Sequence, residues 1–262
     1  MQKEFKTIIY AIEGKVARIT LNRPEVHNAF NDVMFSELTG VFKDIQRRAD
    51  IRVVVLTGAG KSYCAGADIY WMRKVKDYTY EQNYEDTLKL SELLYLIYSL
   101  PKPVVGRING SAIGGGIGFV AICDIAIASS VAKFGFSEVK LGLIPACISP
   151  YIIRKCGEGK VRELFLTGER ISAEMAMAVG LINRVVLPEE LDDAVDELVN
   201  QLVSSGPNAM RLCKELLKNV PDMSLEEAVK YTTKALAELR MSGETQEGTS
   251  AFLEKRKPKW SL

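Results

Sequence analysis

Apolar positions along the chain change their spacing several times, and each change marks an element. Thr7 to Ile12 and Lys15 to Leu21 are rich in apolar and β-branched residues on either side of Glu13-Gly14, a turn pair suited to a hairpin, and predict two strands. Beyond Asn22-Arg23-Pro24 the spacing lengthens. Val33, Phe35, Leu38, Val41, Phe42 and Ile45 recur at helical intervals behind Asn31 or Asp32, either of which can cap a helix. Arg52 to Thr57, with Val53-Val54-Val55-Leu56, is the short unbroken apolar run of a buried parallel strand. A second long helix is predicted over about Glu81 to Ser99, stopped by Pro101 and Pro103, and Val104 to Ile108 begins another buried strand. Gly110 to Gly118 is glycine-rich and leads into an apolar helical stretch, followed by Asp124 to Ala128 as a strand. Past about Tyr151 the patterns are almost all helical: Lys160 to Leu166, Ala173 to Val179, Glu190 to Leu202, Asn208 to Lys218, Ser224 to Met241, and Glu244 to Lys255.

Strand and helix in alternation, then helices alone, argue for an α/β fold: a mostly parallel sheet with crossover helices plus a helical C-terminal extension. The extension is placed from about Gly206-Pro207, dividing the chain into a core over residues 1–205 and a helical region over 206–262. A chain of 262 residues can bury a sizeable core without extra staples.

Charge narrows the partners. Lys and Arg number 34 against 33 Asp and Glu, so no net field draws the chain to nucleic acid, and an anionic ligand must be held by a local site. The five cysteines are odd in number and show no C-x-x-C spacing, which reads as free thiols in a reducing compartment. The charged start Met1-Gln2-Lys3-Glu4-Phe5 and the lack of a long uncharged run point to a soluble cytoplasmic protein with no membrane partner. With His27 as the one histidine, multi-histidine metal sites are excluded and Ser/His/Asp schemes have little room. Chemistry must come from carboxylates, backbone groups or a cofactor, and no metal is required.

Two glycine motifs fail on context. Thr57-Gly58-Ala59-Gly60-Lys61-Ser62 looks like the end of a P-loop, but that motif needs glycine where Val55 stands. Gly116-Ile117-Gly118-Phe119-Val120-Ala121 fits a loose dinucleotide pattern, yet Asn109 to Gly115 separate it from the strand ending near Ile108, so its glycines read as close-packing positions. What survives is a pair of loops. Ala65-Gly66-Ala67-Asp68 follows the Val53 strand and Gly114-Gly115-Gly116 follows the Val104 strand, both at the carboxyl edge of a parallel sheet, where ligands of open α/β sheets bind. Each feeds a helix start, where free N–H groups favour negative charge. Two N–H groups converging on one oxygen make an oxyanion hole.

With these loops in order, the chain resembles the crotonase, or enoyl-CoA hydratase/isomerase, superfamily over nearly its whole length. The landmarks are Leu21-Asn22-Arg23-Pro24 with Asn28-Ala29, Cys64-Ala65-Gly66-Ala67-Asp68-Ile69, Asn109-Gly110-Ser111-Ala112-Ile113-Gly114-Gly115-Gly116, Cys123-Asp124-Ile125, and Phe136-Ser137-Glu138 with Leu141-Gly142-Leu143-Ile144-Pro145. Leu166-Thr167-Gly168 and Phe252-Leu253-Glu254-Lys255-Arg256 close the match. The resemblance implies a crotonase-like spiral core, an acyl-CoA thioester as substrate, and no cofactor beyond the coenzyme A of that substrate. Carried over by position, the oxyanion donors fall on Ala67 and Gly115 and the catalytic glutamate on Glu138. Ala65, Gly66, Asp68, Ile69, Gly114, Gly118 and Pro145 are placed around the substrate. A glutamate among Phe134, Phe136 and Leu141 is expected to have a raised pKa, suiting it to accept and return a proton.

One position departs from the pattern. Many two-glutamate hydratases of the family carry an acid where this chain has Gly118, so Glu138 stands alone. A lone carboxylate can hydrate an enoyl-CoA, or can shuttle a proton and move the double bond as an isomerase does. Ile148-Ser149-Pro150-Tyr151, in place of a Gly-Gly-Thr-Gln stretch, and the segment around Gly114 to Gly118 are similar to the bacterial methylglutaconyl-CoA hydratase-like branch, which tilts the expectation to hydration of a branched enoyl-CoA. The superfamily also includes a hydratase described as binding RNA, a third reading that the neutral charge opposes.

Blander readings stand beside these. His27 either contacts coenzyme A or faces solvent, and Lys255, with Arg256 and Lys257, either meets its phosphates or is a solvated tail. Asp124 is read as structural, while Tyr70, Trp71 and Met72 either line the acyl pocket or pack. The family commonly forms homotrimers or homohexamers, and the helical face Ala228, Tyr231, Ala235 and Leu239 suits an interface or internal packing equally.

Overall fold

The structure, a computed structural model, describes residues 4–261. Strands β1 (Ile8–Glu13) and β2 (Val16–Leu21) form the hairpin, paired antiparallel from Ile8↔Leu21 to Glu13↔Val16 about Gly14. Helix α1 (Asp32–Arg47) is capped by Asn31, whose side chain accepts from the Met34 N–H at 3.0 Å. Its buried face is Met34, Phe35, Leu38, Val41, Phe42 and Ile45, while Val33 turns outward. Strand β3 (Val53–Gly58) is followed by β4 (Ser62–Cys64), α2 (Ile69–Val75) and α3 (Tyr80–Tyr98), the last opened by a reciprocal Thr79–Gln82 capping box. Then come β5 (Val104–Ile108), β6 (Ser111–Ile113), α4 (Gly115–Ala121), β7 (Ile125–Ser129) and β8 (Lys133–Gly135).

The C-terminal half holds α5 (Ser149–Cys156), α6 (Glu158–Thr167), β9 (Arg170–Ser172), α7 (Ala173–Ala178) and β10 (Arg184–Val186). Helices α8 (Leu191–Ser204), α9 (Pro207–Asn219), α10 (Leu225–Arg240) and α11 (Gly243–Leu253) complete it. Reading this half as almost all helical misses β9 and β10. Each is three residues long, too short to show a period, and each adds to the edge of a sheet already formed.

Two sheets result. The larger has order β1-β2-β3-β5-β7-β10, parallel except for the β1–β2 hairpin. The alternation within β3 explains its unbroken apolar sequence: Val54 and Leu56 enter the main core beside α1, whereas Val53 and Val55 meet Leu191, Val195 and Val199 of α8 on the other face. The smaller sheet, β4-β6-β8-β9, consists of three-residue strands. Its presence corrects one expectation, because the two glycine-bearing loops leave β4 and β6 rather than β3 and β5. The parallel pairing Cys64↔Ala112 sets them side by side.

On α10, Ala228 is buried, and the half-buried Tyr231, Ala235 and Leu239 border a groove shared with Asn208, Arg211 and Leu212 of α9. Asp124 has the structural part expected of it: its carboxylate accepts from Val104 N–H at 2.7 Å and from Lys214 Nζ at 2.6 Å. The five cysteines are free thiols, and among the described residues no helix is long and apolar enough to cross a membrane.

Candidate active site

The first loop is held by a short pairing with the segment before α1. Phe30 N–H donates to Gly66 O at 2.8 Å and Asp68 N–H donates to Phe30 O at 2.9 Å, a parallel bridge that leaves the N–H of Ala67, between them, pointing the other way. Asp68 then caps α2, accepting from Tyr70 N–H at 2.8 Å, while its other oxygen pairs with Arg23 Nη2 at 2.7 Å. Burial alone pushes the Asp68 carboxyl up, but the Arg23 guanidinium and the Tyr70 and Trp71 amides together carry it below the usual carboxylate value.

The second loop turns at Gly114, whose φ of 53° and ψ of −131° are open only to glycine. Gly114 N–H donates to Gly135 O at 2.8 Å, and α4 starts at the next residue, so the Gly115 N–H lies in a first turn without an intrahelical acceptor. A β-carbon on Gly66 would meet Ile113 O at 2.8 Å and the Gly115 nitrogen at 3.4 Å, which fixes how closely the loops approach. Among the described residues neither Ala67 N–H nor Gly115 N–H has a backbone acceptor.

Glu138 comes from a short 3-10 helix, Ser137–Leu141, and its side chain lies against the second loop. A β-carbon on Gly114 would stand 3.5 Å from Glu138 Oε1, whereas Oε2 is buried with no hydrogen-bond partner among the described residues. Burial raises the Glu138 pKa, partly opposed by its own backbone N–H. The apolar surroundings are not quite those expected from sequence. Phe134 and Phe136 lie in the core, but Leu141 is exposed, and the wall beside Glu138 is Leu143, Ile144 and Pro145.

A cavity of about 490 Å³ joins these groups. Ala67, Gly115, Glu138 and Pro145 line it. Trp71 and Met72 line it as well, and Trp71 also packs edge-on against Phe35 with ring centroids 5.6 Å apart. Tyr70 instead lies exposed beneath the Arg73 guanidinium.

Other expected positions are not in the cavity wall. Gly66 and Asp68 are buried supports of the loop, Gly114 is its turn, and Ala65 donates its N–H to His27 O at 2.9 Å. Ile69 is exposed at the start of α2. His27 is exposed, with Nδ1 3.0 Å from Ser62 Oγ, and Lys255 is exposed just after α11. Gly118 is buried in α4, where a β-carbon would come within 2.4 Å of Ile148 Cγ2. Gly116, from the rejected dinucleotide pattern, is likewise a packing position, its β-carbon site 2.3 Å from Cys64 O.

The cavity also has members the sequence did not single out. Phe30 lies under Gly115, and Asn83, Asp86, Thr87 and Leu90 present one face of α3. Their spacing is that of any half-buried helix, and only the fold shows that this face looks into the cavity rather than the core. Two amide donors without a backbone acceptor and a carboxyl whose pKa is raised by burial thus line one mostly apolar cavity. Such a site can polarise a carbonyl, stabilise an enolate and move a proton beside it.

The chain is similar to known proteins over nearly its whole length. The family described as Enoyl-CoA hydratase/isomerase matches residues 11–262. A short-chain-enoyl-CoA hydratase of Clostridium acetobutylicum is 36% identical over 256 residues, covering 97% of each chain. An (E)-benzylidenesuccinyl-CoA hydratase of Thauera aromatica is 34% identical, over 94% of this chain and 96% of its own. The crystal structure of an enoyl-CoA hydratase from Shewanella pealeana superposes with a TM-score of 0.95 at 38% identity, covering 98% of this chain and 97% of that one.

Proposed function

The chain belongs to the enoyl-CoA hydratase/isomerase family, and from that premise we propose that it is a hydro-lyase adding water reversibly across the α,β double bond of an enoyl-CoA thioester. The observation that carries the reading is the meeting of Ala67, Gly115 and the buried, unpartnered Glu138 carboxyl in one cavity.

Held by the two amides, the thioester carbonyl draws electron density from its conjugated β-carbon. Glu138 takes a proton from water as the oxygen bonds to that carbon, charge passes to the carbonyl oxygen as an enolate, and Glu138 returns the proton to the α-carbon. Amide donors aimed at a developing oxyanion contribute a few kcal/mol (about 3–4) to such steps. The burial that raises the Glu138 pKa makes it a stronger base than an ordinary carboxylate and lets it hold the proton between the two transfers.

The finer reading is a branched, methylglutaconyl-like acyl group, which rests on the likeness of the segments around Gly114 to Gly118 and Ile148 to Tyr151 to that branch. Relatives named for substrates as different as short-chain and benzylidenesuccinyl thioesters leave the family itself neutral on the acyl group. The second reading, double-bond isomerisation, is favoured by one observation, the lone glutamate over a glycine at 118. We also propose a homotrimer or homohexamer, supported by the exposed Leu225, Val229 and Leu236 of α10 and Phe252 and Leu253 of α11.

Incubation with a panel of enoyl-CoA thioesters, read by mass spectrometry, tests the activity: hydration adds the mass of one water. Rearrangement at unchanged mass, with deuterium entering the α-carbon, replaces the hydratase by the isomerase. Light scattering tests the assembly, and a monomer at working concentration overturns it.

A further inference from the structure

The cavity that holds Glu138 is apolar on most sides but not on the side made by α3 and the end of α2. Asn83, Asp86 and Thr87 share the inward face of α3, and Lys76 follows α2 at the same wall. Asp86 is half-buried and makes no hydrogen bond or ion pair among the described residues. Burial raises its pKa, against the nearby Lys89, which lowers it, and with Asp32, which adds to the rise. Asn83 donates from Nδ2 to Tyr78 O at 3.3 Å and to Thr79 O at 3.1 Å, so its amide hydrogens are engaged and its Oδ1 is the group left for a ligand. This wall therefore offers acceptors at Asn83 and Asp86 beside donors at Lys76 and Thr87.

A hydrocarbon chain filling the cavity would strip water from these groups and return nothing. Unpaired polar groups left buried in that way penalise binding, and a site built to hydrogen-bond a ligand rejects the analogue that lacks the bonding atom. Glu138 and the amides of Ala67 and Gly115 lie in the same cavity, so the thioester end of the substrate is committed to them. What remains for the α3 wall is the far end of the acyl group.

We propose that Asp86, Asn83, Thr87 and Lys76 form a polar subsite that selects acyl groups carrying an oxygen function remote from the thioester. The inference rests on the acyl-CoA reading of the cavity and specifies the substrate class within it. Asp86 is a specificity-determining residue in this scheme and takes no part in the proton transfer. Hydroxyl and carboxylate ends share the required chemistry and differ in their partners: a hydroxyl can donate to Asp86, whereas a carboxylate depends on the Lys76 ammonium.

The test uses α,β-unsaturated acyl-CoA thioesters of equal chain length ending in methyl, hydroxyl or carboxylate. In parallel, binding of the corresponding saturated thioesters is measured by calorimetry. The wild type is expected to favour at least one oxygen-ended thioester over the methyl-ended one by about tenfold or more in kcat/KM and in affinity. Asp86→Leu should abolish the preference for the hydroxyl end, and Lys76→Met should lower the carboxylate arm alone. Asp86→Asn, which keeps size and polarity, serves if the leucine variant does not fold, and should retain binding of the hydroxyl end. A methyl-ended thioester that is used and bound equally well by the wild type overturns the subsite, as does a hydroxyl preference that is unchanged in Asp86→Leu or, where that variant does not fold, lost in Asp86→Asn. If no thioester is hydrated, the hydratase reading fails on its own, and the affinity ratios still decide the subsite.

Discussion

Gly118 and Ile148 fit one another: a β-carbon on Gly118 would lie 2.4 Å from Ile148 Cγ2 and 3.3 Å from Ile148 Cβ. The position where many related hydratases carry a second acid is thus not a vacancy beside Glu138. It is filled by the side chain of a residue that itself lines the cavity. Gly118→Glu alone should cost roughly 1–3 kcal/mol or more through overpacking. In a chain of this size that lowers the Tm by several degrees. Gly118→Glu combined with Ile148→Gly should recover part of the loss, because the two residues share one space and their effects do not add. A single variant that melts with the parent would mean that the two side chains do not compete.

Glu138→Gln keeps the shape of the side chain and removes its proton chemistry. Turnover should fall by about 10²–10⁴-fold while the melting temperature does not fall. Steady-state rates on any thioester the wild type accepts provide the measurement. Residual activity within a few-fold of the parent would move the proton transfer to another group.

Gly115→Ala addresses the other half of the site. Its β-carbon would stand 2.6 Å from Phe30 Cζ, so either the ring or the loop must move. Because the N–H of residue 115 is one of the two proposed donors, displacement should lower kcat by about 10²-fold or more. Adding Phe30→Leu should restore part of it by giving the loop its place back. Unchanged kcat in Gly115→Ala would show that the amide is not aimed at the reacting oxygen.

The sequence carried much of this because its strongest signals were local. Val53 to Leu56 has the unbroken apolar run of a strand buried on both sides, and the glycines at 66 and 114 to 116 mark close backbone approach. The α3 wall was not legible. Asn83, Asp86, Thr87 and Leu90 have the spacing of an amphipathic helix, and which way that helix faces depends on contacts between residues far apart in the chain. The same holds for β4, β6, β8 and β9: a three-residue strand has no period, so the second sheet emerges only when its strands pair. Gly118 was legible as a departure from the two-acid pattern. Its partner Ile148 was noted in a different segment, and nothing in the sequence joined the two.

The buried carboxyl of Glu138 also ties activity to stability. Burial lifts its pKa in the folded protein above the value it has in the unfolded chain, so the folded state holds the proton more tightly. The favourable contribution of the protonated group is fully present below the unfolded value and is lost as pH rises through the folded one. At neutral pH the ionised carboxylate therefore destabilises the fold, although ionised is the form that must receive a proton from water. Glu138→Gln never ionises, and should melt above the parent at neutral pH, with the difference shrinking as pH falls below the ordinary carboxylate range. Asp86, lifted in the same direction, is present in both proteins and cancels in the comparison. Wild-type kcat for hydration should rise with pH along an acid limb whose midpoint lies above the ordinary glutamate value, since only the ionised form can act as the base. Melting curves of both proteins at acid and neutral pH, set against that rate profile, check the link. A gain in Tm that is the same at both pH values would separate the stability effect from the proton on Glu138.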